Sequence, residues 1–286
     1  MAPDAAQLMP KLRFNGAMLT DLGSVRVVNE DAVVYVAPQN QESTGGRGSL
    51  ALVADGMGGH AAGEIASALA AEVVRRVYFE LDGPVPDVFA AAFAAANRAI
   101  LEWTEKDPAC KGMGTTCTAL ALRDDQAWLA HVGDSRAYLL RGGALTQLTE
   151  DQTLVAKMVS EGTLTKEEAA NSPIQNVILQ ALGTSPEIQP DISRQGMPLN
   201  AGDVLILCSD GLTNMVPDAT IADLAGRLPP HEACRALIDV ALAAGGHDNV
   251  SLGVFLAMSA AEEPKVAPER TTRRIMIAEK RREQDA

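Results

Sequence analysis

The stretch Ala137-Tyr-Leu-Leu-Arg141-Gly142-Gly143-Ala144-Leu145 decides the fold class. An apolar run meets Gly-Gly and returns at once to Ala-Leu, which reads as two antiparallel strands joined by a two-residue turn. Outward from this hairpin, strand-like runs occur at Ala32–Val36, Leu50–Ala54, Thr118–Leu122, Ala127–Val132, Val204–Cys208 and Val250–Leu256. Helical spacing occupies Gly63–Tyr78, Asp87–Glu105, Gln152–Glu161, Lys166–Asn171, Pro217–Arg227 and Pro230–Ala244. In the first of these, Ile65, Leu69, Val73 and Val77 recur every fourth residue and predict one buried face; Ala233, Leu237, Val240 and Ala244 do so in the last. Clustered strands with helices elsewhere predict an α+β protein with antiparallel sheet, rather than a doubly wound βαβ fold.

Composition narrows the function classes. The chain has 286 residues, 47% of them apolar and 21% charged, as globular proteins do. Lys+Arg number 24 against 37 Asp+Glu, a net charge of −13. That sign argues against nucleic acid or an anionic membrane as partner, because both need a basic footprint. Cys110, Cys117, Cys208 and Cys234 form no CxxC pair and are expected to be free thiols in a reducing compartment. No basic n-region precedes an apolar h-region, and no run nears the ~18 apolar residues of a membrane span. A soluble, cytoplasmic monomer is expected. Residues 14–257 contain no repeat and no linker and read as one domain, with an extension at 1–13 and a charged, flexible tail at 258–286.

Several acids sit where packing does not explain them. Leu50–Ala54 runs straight into Asp55-Gly56, and Val204–Cys208 into Ser209-Asp210-Gly211; Gly245-Gly-His-Asp248-Asn249 directly precedes Val250–Leu256. Asp-Gly ordinarily marks a turn. Here each pair leads into helix-like sequence instead of a returning strand. In an antiparallel sheet the end of one strand lies beside the start of its neighbour, so these acids can meet on one rim. Carboxylates crowded there would raise one another's pKa unless cations held them, and hard oxygen ligands select Mg²⁺ or Mn²⁺. Asp134, in Val132-Gly-Asp134-Ser135-Arg136, interrupts two apolar strands and adds a fourth. From spacing alone, turns and a metal site both stay open.

An ordered series of motifs resolves the choice. The motifs are Arg26-Val-Val-Asn-Glu30-Asp31, Val53-Ala-Asp55-Gly56-Met-Gly-Gly-His60-Ala-Ala-Gly63-Glu64 and Gly112-Met-Gly114-Thr115-Thr116. They continue with Val132-Gly-Asp134-Ser135-Arg136, Leu148-Thr-Glu-Asp151, Ala181-Leu-Gly183, Cys208-Ser-Asp210-Gly211-Leu and Gly245-Gly-His-Asp248-Asn249. Together the series resembles the metal-dependent Ser/Thr protein phosphatases (the PPM, or protein phosphatase 2C, family) in their bacterial single-domain form. The resemblance implies a four-layer αββα architecture, a central antiparallel β-sandwich flanked by helices, with a two-metal site on one rim. It implies that Asp55 bridges two Mn²⁺ or Mg²⁺ ions and that the Gly56 carbonyl joins the first. Asp210 and Asp248 would ligate the second, and Asp134 with Asp210 a third. Glu30 and Asp31 would act on metal-bound waters, and Arg26 would grip the substrate phosphate. The implied activity is hydrolysis of phosphoserine and phosphothreonine in proteins by a metal-bridging water in one in-line step. Ser/Thr kinases of the Hanks type and their substrates would be its partners.

Departures from the family pattern fall beside the chemistry. Met57 stands where many eukaryotic members have His, which leaves His60, three residues on, either as the candidate general acid or as a residue that only hydrogen-bonds a loop. Gln152 replaces the His expected after Asp151, and Gln180 replaces an Arg. Asp151 and Gln152 border the expected flap, Thr153–Asn176, so these changes bear on substrate recognition. Two competing readings share the fold: a weakly active relative that binds phosphoproteins, and a partner-switching phosphatase of the stress-response kind.

Overall fold

The computed structural model describes residues 12–37, 46–58, 62–170 and 172–259. His60 and nearly all of the charged tail lie outside them. The chain enters through strands β1 (Leu12–Asp21), β2 (Asp31–Val36) and β3 (Ser49–Met57), then forms helices α1 (Ala62–Glu80) and α2 (Val85–Lys106). Strands β4 (Gly114–Thr115), β5 (Cys117–Arg123), β6 (Gln126–Val132), β7 (Arg136–Arg141) and β8 (Ala144–Gln147) follow. After α3 (Leu154–Ser160) and α4 (Lys166–Ala170) come the short β9 (Asp191–Ile192) and β10 (Met197–Pro198), then β11 (Val204–Cys208). The last elements are α5 (Asp210–Thr213), α6 (Asp218–Arg227), α7 (Pro230–Ala243) and β12 (Val250–Ser259).

The strands form two sheets, ordered β1-β12-β11-β7-β8 and β10-β6-β5-β3-β2, with every pairing antiparallel. The predicted hairpin is β7–β8: Arg141 faces Ala144 across Gly142 and Gly143, both at positive φ (57° and 84°) as such a tight turn requires.

Alternation along the central strands builds the layers. In β3, Leu50, Leu52 and Ala54 pack under α1 and α2, while Ala51 and Val53 face the other sheet. In β11, Val204, Ile206 and Cys208 pack under α6 and α7, while Leu205 and Leu207 face inward. Burial on both faces explains why these strands read as unbroken apolar runs. The result is the expected αββα stack.

Two local expectations need correcting. Strand β1 escaped the sequence reading because Asn15 and Gly16 interrupt its pattern. Gly16 is there because a Cβ would collide with the Phe255 ring, which stacks edge-on with Tyr35 at 5.0 Å. In α1 the deepest stripe is Ala62, Ala66, Ala70, Val74 and Tyr78, whereas Ile65, Leu69 and Val77 flank it half-buried. Small side chains let the helix axis approach the sheet, and a search for large apolar residues finds the shoulder of such a face.

Candidate metal centre

The suspected acids converge on one rim of the sandwich. Asp31 opens β2 and Asp55 lies near the end of β3, directly opposite each other in the ladder. Asp210 follows β11, and Asp248 precedes its neighbour β12. Asp134 lies in the β6–β7 connection. The fields of Asp31, Asp210, Asp134 and Asp248 all reach Asp55.

The glycines after Asp55 and Asp210 are not turn formers: Gly56 lies within β3 and Gly211 within α5, and neither has positive φ. A Cβ on Gly56 would strike the Gly63 carbonyl, and one on Gly211 the Asn249 carbonyl. Glycine is required because backbone segments close on each other here, bringing the carboxylates together. Thr116 Oγ1 accepts from the Asp55 amide at 2.9 Å and the Thr115 hydroxyl donates to its carbonyl at 2.9 Å, fixing the backbone that carries Asp55.

Electrostatics at the rim is strained. Burial, then the charges of its acidic neighbours, holds Asp55 well above the ordinary carboxylate range. Burial and the neighbouring Asp210 push both Asp31 and Asp134 up to about 7. Asp210 is raised by burial and by Asp248, partly relieved by hydrogen bonds from Asp55 and from Asn214 Nδ2 at 3.0 Å. The guanidinium of Arg26 pairs with Asp248 at 2.8 Å and lies 3.7 Å from Glu30. Among the described residues, no three or more His, Cys, Asp or Glu side chains are drawn together into a closed cage of metal ligands. Among the described residues one atom stands apart: Asp31 Oδ1 is buried without a hydrogen-bond partner. A buried orphan oxygen among carboxylates offering only hard oxygen donors fits a divalent cation such as Mn²⁺ or Mg²⁺.

The protein phosphatase 2C family model matches residues 26–239, three-quarters of the chain. The chain belongs to that family. The serine/threonine protein phosphatase PstP of Mycobacterium tuberculosis is 42% identical over 241 residues, 83% of this chain but 44% of PstP. This chain thus spans less than half of that relative's length. Protein phosphatase PhpP of Streptococcus pneumoniae is 40% identical over 243 residues, covering 83% of this chain and 95% of PhpP. A crystal structure of the PstP catalytic domain in complex with two manganese ions superposes with a TM-score of 0.74 at 39% identity, covering 87% of this chain and 99% of that one.

Within this protein phosphatase 2C domain the remaining named residues divide. Glu30 joins the rim, its amide held by Asn249 Oδ1 at 2.8 Å and its carbonyl accepting from Gly56 N at 3.1 Å. Asp151 forms a fork with Arg136, the shorter arm being 2.6 Å. Gln152 straps the Asp134 loop: it exchanges bonds with Gly133 at 2.9 and 2.8 Å and donates to Asp191 at 2.9 Å. His131, buried in β6, meets the Thr118 hydroxyl and the Glu150 carbonyl, as befits a satisfied core histidine.

Sequence reasoning singled out the motif around Asn249 without giving this residue a role. Its amide donates to the carbonyls of Leu22 and Val28 at 2.9 and 3.1 Å while its oxygen takes the Glu30 amide, clamping the loop that carries Arg26. Asn249→Ala leaves these groups unpaired and is expected to cost about 2 kcal/mol, a melting-temperature loss of about 6 °C. The loosened loop should raise KM for a phosphopeptide roughly tenfold. Thermal denaturation and steady-state kinetics check both; wild-type values in each would show that the loop holds itself.

Proposed function

We propose that the chain hydrolyses phosphoserine and phosphothreonine in proteins, opposing Hanks-type Ser/Thr kinases, with Mn²⁺ or Mg²⁺ bound at this centre. Asp55, Asp210, Asp248 and the Gly56 carbonyl would hold two ions, and Asp134 with Asp210 a third. When bound, such ions supply a water of lowered pKa and neutralise charge on the phosphoryl oxygens. The observation that carries the reading is the convergence of five buried or half-buried aspartates with one guanidinium on a single rim.

The side chains have separate tasks. Arg26 is 45% exposed at its side chain, so it can exchange its carboxylate partners for a phosphate, which its planar fork binds through two parallel N–H bonds. Glu30 and Asp31 face the centre as acceptors that orient attacking water. His60 is the proposed donor of the proton to the leaving alkoxide. Asp151 and Gln152, with Lys157, Gln180 and Asp191, line a groove of ≈ 380 Å³, proposed to receive the peptide around the phosphorylated residue.

Thiol chemistry is disfavoured on physical grounds. All four cysteines are buried, and burial pushes Cys117, Cys208 and Cys234 up to about 12, so no thiolate nucleophile is available from those three.

Hydrolysis of a phosphothreonine peptide by chelator-stripped protein, before and after Mn²⁺ is restored, tests the proposal. Turnover that appears only with Mn²⁺ is expected. No turnover despite Mn²⁺ binding would favour a phosphoprotein-binding role.

A further inference from the structure

We infer that Ser209 is a positioning residue for the metal centre: it holds Asp31 by one oxygen and so leaves the other, Oδ1, to the water on the cation that Asp31 is proposed to orient. The inference rests on reading this rim as a divalent-metal site.

Ser209 is fully buried, at the junction between β11 and α5. Its hydroxyl accepts from the Ser251 amide at 3.0 Å and lies 2.9 Å from Asp31 Oδ2. A hydroxyl has one proton. An amide approaching its lone pair and a carboxylate oxygen beside it leave that proton one destination, Asp31 Oδ2. The serine therefore acts as a one-way donor, and Asp31 is pinned at Oδ2 while Oδ1 stays without a partner.

The pin is itself anchored. Ser251 donates its hydroxyl to Thr20 Oγ1 at 2.8 Å, Asn29 Nδ2 donates to the same oxygen at 2.8 Å, and Asn29 Oδ1 accepts from the Asp31 amide at 3.1 Å. Asp31, Asn29, Thr20, Ser251 and Ser209 thus close a ring of hydrogen bonds. The ring crosses from β2 in one sheet to β1 and β12 in the other. Because the acids of the centre come from both sheets, a link between the sheets at this point fixes the distance between Asp31 and its neighbours. The Ser251 hydroxyl also favours the Asp31 carboxylate; without the Ser209 pin at Oδ2, the carboxyl loses one of these two holds and can turn its open oxygen away from the centre.

Calorimetric titration of Mn²⁺ into the chelator-stripped full chain tests the assignment, with melting temperatures measured alongside. Ser209→Ala is expected to weaken Mn²⁺ binding by about tenfold to a hundredfold, the usual effect of losing a group that orients a ligand. Ser209→Cys, of similar size but a weak donor, should fall between the two. Asp203→Ala is the control for mere destabilisation. It removes a buried carboxylate that receives Arg141 and the Asn200 amide at the opposite end of β11, so it should lower the melting temperature and leave Mn²⁺ affinity unchanged. Ser209→Ala binding within twofold of wild type would overturn the inference, as would an equal loss in Asp203→Ala. Should Ser209→Ala fail to fold, wild-type affinity in Ser209→Cys would overturn it. Wild-type protein that binds no Mn²⁺ would instead remove the metal reading on which the inference stands.

Discussion

Asp55→Asn is expected to abolish Mn²⁺-dependent hydrolysis, by about a thousandfold or more, and at the same time to raise the melting temperature of the metal-free protein. The loss follows from removing the central carboxylate of the proposed metal centre. The gain follows from where that carboxylate sits. Burial and four acidic neighbours hold Asp55 well above its ordinary pKa. At neutral pH the folded, metal-free chain must either carry a buried, crowded charge or hold a proton that the unfolded chain releases. Both cost stability. Asparagine avoids both, and its amide can still donate toward Asp210 as the protonated acid does. The backbone bonds to Thr115 and Thr116 are untouched. A gain of about 2 kcal/mol would appear as about 6 °C in thermal denaturation with chelator present. Retained turnover would remove Asp55 from the mechanism. A lower melting temperature would mean that the acids are not in conflict.

The second large effect is on pH dependence. Asp31 and Asp134, ordinarily near 3.8, are both pushed up to about 7 in the folded state. Between about pH 4 and pH 7 the folded metal-free chain therefore holds protons that the unfolded chain has lost. Stability then falls as pH rises through that window, by up to about 1.4 kcal/mol per pH unit for each group. Asp55, Asp210 and Glu30 are raised too and act in the same sense. His131 opposes them, since burial lowers its pKa and stability from that source rises with pH below 6.5. One group against five leaves a net decline. Urea denaturation in chelator should show stability dropping by a few kcal/mol from pH 5 to pH 7.5. Saturating Mn²⁺, which binds the deprotonated carboxylates, should flatten or reverse the slope. A flat profile in chelator would show that the acids are better solvated than their burial indicates.

Much of this was legible along the chain. The Gly142-Gly143 hairpin and the doubly buried runs at Leu50–Ala54 and Val204–Cys208 announced antiparallel sheet between apolar layers. The acids beside Gly56 and Gly211, the Asp134 loop and Asp248 stood out because neither packing nor hairpin turns accounted for them. Other features were illegible. Strand β1 was hidden because Gly16 serves the ring of Phe255, a residue far away in sequence. The working face of α1 is written in alanines, which carry little weight in any hydrophobic pattern.

The sequence by itself determined the class of fold and the family and singled out the acids proposed for the centre, because alternation, helical spacing and motif order are local properties of the chain. Only the tertiary structure decided what surrounds those acids. Asn249 clamps the Arg26 loop, Gln152 straps the Asp134 loop to Asp191, and Ser209 pins Asp31 through a ring that spans both sheets. Each of these depends on which atoms are left without partners once the two sheets close on each other. Donors and acceptors are balanced in space between strands that lie far apart in the chain, and no spacing within one segment records that balance.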